Sequence, residues 1–201
     1  MYLWRKLTRK QRDDLLAWRK HQKMPWHRPP HRAGEQTRYH VTAACYEHRA
    51  YIGYSADRLQ NFCGVLLATF RQQSALVHAW CVLPNHYHAL IETNAILDLL
   101  GDLGRMHGRL SFQWNGEEGK RGRQIWCGAA ERFMRNDAHF WATMNYVHHN
   151  PARHGYVERW QDWPFSSAPE YLTEFGRDEA ARIWREYPVL EYGKGWDPPE
   201  Q

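Results

Sequence analysis

The sequence has no long uncharged apolar run, and this excludes a transmembrane helix, which needs about twenty consecutive apolar residues. Its opening, MYLWRKLTRKQRDD, also lacks the apolar stretch of a secretory signal, so a cytoplasmic protein is expected. Cysteine is scarce: Cys45, Cys63, Cys81 and Cys127 are widely scattered with no close pair. That spacing argues against a disulfide frame or a Cys-based zinc site and for reduced, mostly buried thiols. Internal repeats and low-complexity segments are missing too. At 201 residues, the length suits one domain, or one domain with extensions, large enough to bury a core.

Charge of both signs is present, but unevenly. Residues 1–49 carry twelve Lys/Arg against four Asp/Glu, residues 50–164 eleven against ten, and residues 165–201 four against eight. The front end is therefore the source of the net +5, and it is aromatic as well as basic. Such a segment suits an anionic partner, nucleic acid being the usual one, although a solvated basic surface explains it equally well.

The pattern along the chain predicts a short helix within residues 1–24, with Thr8 as its cap, then an extended Pro- and Gly-bearing arm to about Thr37. The stretch TRYHVTAACYEH (37–48) reads as a strand, and Ser55–Gln73 as a Ser-capped amphipathic helix with Leu59, Phe62, Leu66 and Phe70 on one side. ALVHAWCVL and HYHALIET form a hairpin around Pro84-Asn85. A second helix runs from Ile96 to about Trp114, and QIWCG is a short fourth strand. This β-α-β-β-α-β order predicts an α+β, ferredoxin-like fold: a four-stranded antiparallel sheet with two helices on one face and the other face open for a site. A third helix begins at Asn136-Asp137 and stops as Pro151 discourages continuation. The expected divisions are a basic helix and arm at 1–36, a compact domain at 37–168 and a C-terminal extension at 169–201.

Two features of this layout carry chemistry. In a strand, His86 and His88 point the same way, with Tyr87 on the other side. On the third helix, Phe140, Met144 and Val147 form the buried stripe, whereas Tyr146 falls on a polar face with His139, Thr143, His149 and Asn150. If that helix lies over the open face of the sheet, His86, His88, Tyr146 and Asn150 meet. Two imidazoles and an amide oxygen can hold a divalent cation, and a Tyr hydroxyl beside it can act as a nucleophile on phosphorus. Taken singly, each group has a plainer explanation: a polar strand face, or a half-buried aromatic. His148, His149 and His154 read as solvated or phosphate-contacting, and Glu92 as an exposed strand-end residue or one that orients a ligand.

At these residues the chain resembles a known family. LPNHYHALIET is similar to the His-hydrophobe-His motif of single-tyrosine transposases that act on single-stranded DNA, and FWATMNYVHHNPARHGYVERWQDWPFSS resembles the segment around the catalytic tyrosine in the REP-associated tyrosine transposase branch. The resemblance covers roughly Thr37 to Ser167. It implies His86, His88 and Asn150 as metal-side residues, Tyr146 as nucleophile, and Mg²⁺ or Mn²⁺ as the metal. It further implies cleavage of a single-stranded DNA hairpin substrate through a 5′-phosphotyrosine, in a protein that is a monomer or a homodimer. Arg105, Arg109, Lys120, Arg121, Arg123, Arg132 and Arg135 are candidate DNA-backbone contacts, and Trp114 and Trp126 candidate stacking platforms. Two departures stand out. IWCGAAERFM has small residues where a bulkier aromatic stretch is expected, and the 1–36 arm exceeds the family core. The rival readings are a domesticated, non-catalytic DNA-hairpin binding protein and a metal-dependent phosphodiesterase that uses water.

Overall fold

Strand β1 (Arg38–Cys45) pairs on one side with β3 (His86–Glu92) and on the other with β4 (Trp126–Phe133), while β2 (Leu76–Val82) completes the sheet beside β3. Every pairing is antiparallel and the order is β2-β3-β1-β4, the ferredoxin-like arrangement the element order predicts. This computed structural model describes residues 37–189, together with residues 8–10, 13, 14 and 17. The expected helix and arm of residues 1–36 thus lie outside the described residues, those six positions excepted, and so does the end of the C-terminal extension.

Alternation along the strands sorts side chains between two layers. Tyr39, Val41 and Ala43 of β1, with Tyr87, Ala89 and Ile91 of β3, face helices α1 (Ala56–Gln72) and α2 (Ile96–Glu117) and build the main core with Phe62, Leu66, Leu103 and Met106. Ser55 caps α1, its Oγ accepting the Arg58 N–H at 3.1 Å. Arg58, almost fully buried, ties the start of α1 to the end of α2 through Glu117 at 3.0 Å and Glu118 at 2.7 Å. The proposed stacking platforms belong to this layer. Trp114 and Trp126 are both buried, Trp126 lying flat on His107 at 4.1 Å between ring centroids and beside Phe62 at 5.4 Å. They are core residues, and stacking on a base is not open to them.

The opposite face is covered. Helix α3 (Asp137–Arg153), followed by α4 (Ala168–Phe175) and α5 (Arg177–Glu186), packs there on Ala79, Cys81 and Leu90 through Phe140, Met144 and Val147. Asn136 caps α3 by accepting the His139 N–H at 2.8 Å. Two boundaries differ from expectation. α3 passes through Pro151 to Arg153: the proline removes only its own backbone bond, and the helix continues to its last turn, where His154 N–H donates to Asn150 O at 3.1 Å. Gly155, at φ 75°, then ends it. β4 runs to Phe133, well beyond QIWCG, since its ladder with β1 imposes the strand on the poorly strand-forming AAER stretch.

The DWPFSS segment has a structural task. It lies along β2: Val82 N–H donates to Phe165 O at 2.9 Å, Ser167 N–H to Trp80 O at 3.0 Å, and the Trp163 indole N–H to Val82 O at 2.9 Å. An edge that would otherwise stay open is thereby partly closed. The Ser167 hydroxyl also bonds His148 Nε2 at 2.9 Å, and the His148 ring is buried between Trp160 and Tyr171. That corrects its reading as a solvated or phosphate-contacting residue.

Burial raises the Cys45 and Cys63 thiols to about 12 and Cys81 well above its ordinary range, as inert structural cysteines require. Burial also lowers the His148 imidazolium to about 3 from an ordinary 6.5. Below pH 6.5 the unfolded chain therefore takes up a proton that the folded chain refuses, and stability falls as pH falls toward 3. Urea unfolding at pH 7 and pH 5 is expected to show the natural chain losing about 2 kcal/mol more than His148→Gln over that interval. Replacing Arg58 by Met leaves Glu118 with Arg123 alone and is expected to cost about 1.5–3 kcal/mol in the same measurement at pH 7.

Candidate active site

The β2–β3 turn sets the position of the histidine pair. Gly53 N–H donates to Pro84 O at 2.9 Å, and a Cβ at Gly53 would sit 2.4 Å from Pro84 Cβ, so only glycine allows this approach. Asn85 is held in turn. Its Nδ2 donates to His48 O at 3.1 Å, and Cys45 N–H donates to its backbone oxygen at 2.7 Å. β3 begins at the next residue, and from there His86 and His88 both face α3. Tyr87 faces the other way, fully buried, its hydroxyl 3.3 Å from His107 Nε2. Burial alone raises the Tyr87 phenol far above its ordinary value, which suits a packing residue and not a nucleophile.

From α3, Tyr146 and Asn150 project onto the same spot one turn apart. The Tyr146 hydroxyl lies 3.5 Å from His88 Nε2, the outer limit of a hydrogen bond, and Asn150 Oδ1 lies 3.1 Å from His86 Nε2. The rings of His86 and His88 are 4.9 Å apart. All four side chains are essentially inaccessible, at 1 %, 1 %, 1 % and 0 % exposure for His86, His88, Tyr146 and Asn150. The meeting anticipated from strand and helix periodicity is therefore present, and the polar side of α3 is turned inward onto the sheet.

Hydrogen bonding shows what this group can hold. Because Asn85 Nδ2 is used on His48 O, its Oδ1 accepts from His86 Nδ1 at 2.6 Å, so His86 Nε2 carries a lone pair. That lone pair faces Asn150 Oδ1, another acceptor, while Asn150 Nδ2 is buried without a partner. With the amide turned over, Nδ2 would donate to His86 instead; in either orientation His86 Nε2 stays an acceptor. With Asn150 Oδ1 toward the ring, two acceptors converge with no hydrogen between them, a donor set that suits a divalent cation. Among the described residues, no group of three or more His, Cys, Asp or Glu side chains is placed to hold a metal ion, so the set consists of two imidazoles and an amide.

Further groups surround the cluster that the sequence reading did not include. His40 on β1 places Nε2 3.1 Å from His88 Nδ1, and its ring meets the Tyr146 ring edge-on at 5.8 Å. His154 lies 5.0 Å from the His86 ring, which places it at the site. The Arg153 guanidinium sits 5.7 Å from the Tyr146 ring centre. His40 had a visible signal: it alternates with Tyr39, Val41 and Ala43, so it must face the other layer, but its nearness to His88 depends on the β1–β3 register. Glu92 bonds His78 at 3.2 Å and Thr37 at 3.2 Å and does not reach the histidine pair.

The basic candidates divide between the layers. Arg132 pairs in register with His40 and so lies on the Tyr146 side of the sheet, and Arg135 is exposed in the turn before α3. Arg105 and Arg109 are exposed on α2, beyond the other layer, and Arg105 is paired with Asp102. Lys120, Arg121 and Arg123 lie in the α2–β4 turn. Arg121 covers the Phe112 ring at 4.3 Å, and Arg123 pairs with Glu118 at 2.8 Å.

No family model matches the chain. It is 29% identical over 147 residues to a putative REP-associated tyrosine transposase of Haemophilus influenzae, an alignment spanning 66% of this chain and 77% of that protein. It is 29% identical over 114 residues to the REP-associated tyrosine transposase of Escherichia coli K12, covering 56% of this chain and 60% of the other. In fold, it matches the solved structure of a REP-associated tyrosine transposase bound to a REP hairpin, with a TM-score of 0.57 over 72% of this chain and 84% of that one, at 19% identity. The chain is thus similar in sequence to REP-associated tyrosine transposases and shares the fold of one solved member.

Proposed function

We propose that this chain cleaves and rejoins single-stranded DNA at hairpin-bearing sites, with Tyr146 as the nucleophile. The carrying observation is the Tyr146 hydroxyl at 3.5 Å from His88 Nε2, beside His86 and Asn150. A buried phenol seldom has that company for packing alone, since each polar group buried there costs free energy unless paired. The names of the relatives agree with a transposase, and the hairpin bound by the structural neighbour supports the substrate class.

In this reading, the Tyr146 oxygen attacks the phosphorus of a phosphodiester. The phenol loses its proton as the new O–P bond forms. The bond to the 3′-oxygen breaks, and that oxygen leaves as a hydroxyl, with the 5′-phosphate esterified to Tyr146. Attack by a second 3′-hydroxyl reverses these steps and restores the phenol, so the bond energy is retained and no nucleotide cofactor is needed. His86, His88 and Asn150 would hold Mg²⁺ or Mn²⁺, which would polarise a phosphate oxygen and draw charge from phosphorus. With two nitrogen donors, the set should favour Mn²⁺ over Mg²⁺, which prefers oxygen ligands throughout. Arg153, with its charge beside the Tyr146 ring, and Arg132 and Arg135, on the same side of the sheet, are the basic groups best placed to meet the DNA backbone.

Incubation with a labelled single-stranded hairpin and Mn²⁺ is expected to give a covalent protein–DNA adduct, resolved on a denaturing gel and absent in Tyr146→Phe. Hairpin binding without an adduct in the natural chain would favour the non-catalytic reading, and cleavage retained in Tyr146→Phe would favour water as nucleophile. Removing metal with EDTA should abolish the adduct, and added Mn²⁺ should restore it. In His86→Ala no restoration is expected at Mn²⁺ concentrations that saturate the natural chain.

A further inference from the structure

Two buried side chains outside the proposed donor set each touch the far nitrogen of one motif histidine. Asn85, on the turn, faces His86 Nδ1 at 2.6 Å, and His40, on the neighbouring strand, faces His88 Nδ1 at 3.1 Å. Both are nearly inaccessible, Asn85 at 1 % and His40 at 2 % exposure. They come from separate parts of the chain, yet they make the same contact on the same ring atom. An imidazole has one hydrogen to place when neutral, and whichever nitrogen receives it can no longer donate a lone pair.

We propose that Asn85 and His40 are positioning residues that hold His86 and His88 with hydrogen on Nδ1, so that both Nε2 lone pairs face Tyr146 and Asn150. The inference rests on the strand-transfer reading in one respect: that reading is why His88 Nε2 must be free to donate. For His86, the direction follows from the chain of bonds. The Asn85 amide is oriented by its Nδ2 bond to His48 O, leaving only its oxygen to meet the ring. For His88, the proposed direction makes His40 Nε2, 3.1 Å from His88 Nδ1, the acceptor. With the hydrogen placed the other way, His88 would aim an N–H at the Tyr146 oxygen and could not hold a cation. The arrangement is the familiar one in which an outer partner fixes the orientation and basicity of a ligating ring. Here an amide serves one ring and a third imidazole the other. Because neither partner is a carboxylate, they set the tautomer without placing a negative charge beside the phosphate that the site is built to receive.

The full-length chain, metal-free and labelled with nitrogen-15 in its histidine rings, provides the test. Nuclear magnetic resonance of the natural protein is expected to show His86 and His88 as Nδ1–H tautomers. Asn85→Ala should release His86, and His40→Leu should release His88, to the other tautomer or a mixture. Each change should weaken Mn²⁺ binding, measured by titration calorimetry, by roughly 10–100-fold. His40→Gln retains an acceptor and should keep both the His88 tautomer and most of the Mn²⁺ affinity. An Nε2–H tautomer for either ring in the natural chain overturns the proposal without reference to any variant. Unchanged Mn²⁺ affinity in both Asn85→Ala and His40→Leu overturns it too, as does a natural chain that binds no Mn²⁺. An adduct that persists in Tyr146→Phe would sink the nucleophile assignment while leaving these ring measurements as they stand, so the two failures are separable.

Discussion

The contact between β3 and α3, where two imidazoles meet a phenol and an amide in a space without access to solvent, constrains everything around it. Polar groups buried this way are costly unless their partners are placed within a few tenths of an ångström. A helix turns by about 100° per residue, so a slip of one position would carry Tyr146 away from the sheet and strand His88 against apolar packing. The surrounding structure is arranged to prevent that slip. Asn145 on α3 donates to Ile183 O at 3.3 Å and Tyr187 O at 2.9 Å, locking α5 to the helix, and His148 is anchored through Ser167 to β2. The DWPFSS segment therefore matters to the site without entering it, by fastening the return of the chain to the sheet edge.

The two faces of the sheet divide the work by the parity of the strands. Odd positions of β1 and β3, such as Tyr39, Val41, Tyr87 and Ala89, supply the apolar layer beneath α1 and α2. Even positions, His40, His86 and His88, supply the polar cluster beneath α3. The bulk of Tyr87 between the histidines follows from this division: it packs against His107 and Phe62 in the other layer and leaves the motif histidines undisturbed. Tryptophan follows the same logic. Trp114 and Trp126 are spent on the core, so DNA contacts would have to come from exposed basic groups.

Much of this was legible beforehand, and for identifiable reasons. His86 and His88 share a face because a strand alternates. Ser55 and Asn136 cap helices because their side chains reach the free N–H groups of a first turn. Tyr146 stands out because the 3.6-residue period places it off the stripe of Phe140, Met144 and Val147. The limits of β4 and α3 were less legible: β1 holds the AAER stretch extended, and α3 continues past its proline until Gly155, at φ 75°, ends it.

The residues from Thr37 to Ser167, by their periodicity and motifs alone, determined the element order, the antiparallel sheet, and the facing of the histidine pair and of Tyr146, because these are local consequences of backbone geometry. Only the tertiary structure decided that His40 lies against His88, that Asn85 holds His86, that His154 and Arg153 border the cluster, and that two tryptophans are sealed in the core. Those contacts join positions far apart in the chain, and strand register and helix packing, which no local pattern specifies, determine which of them form.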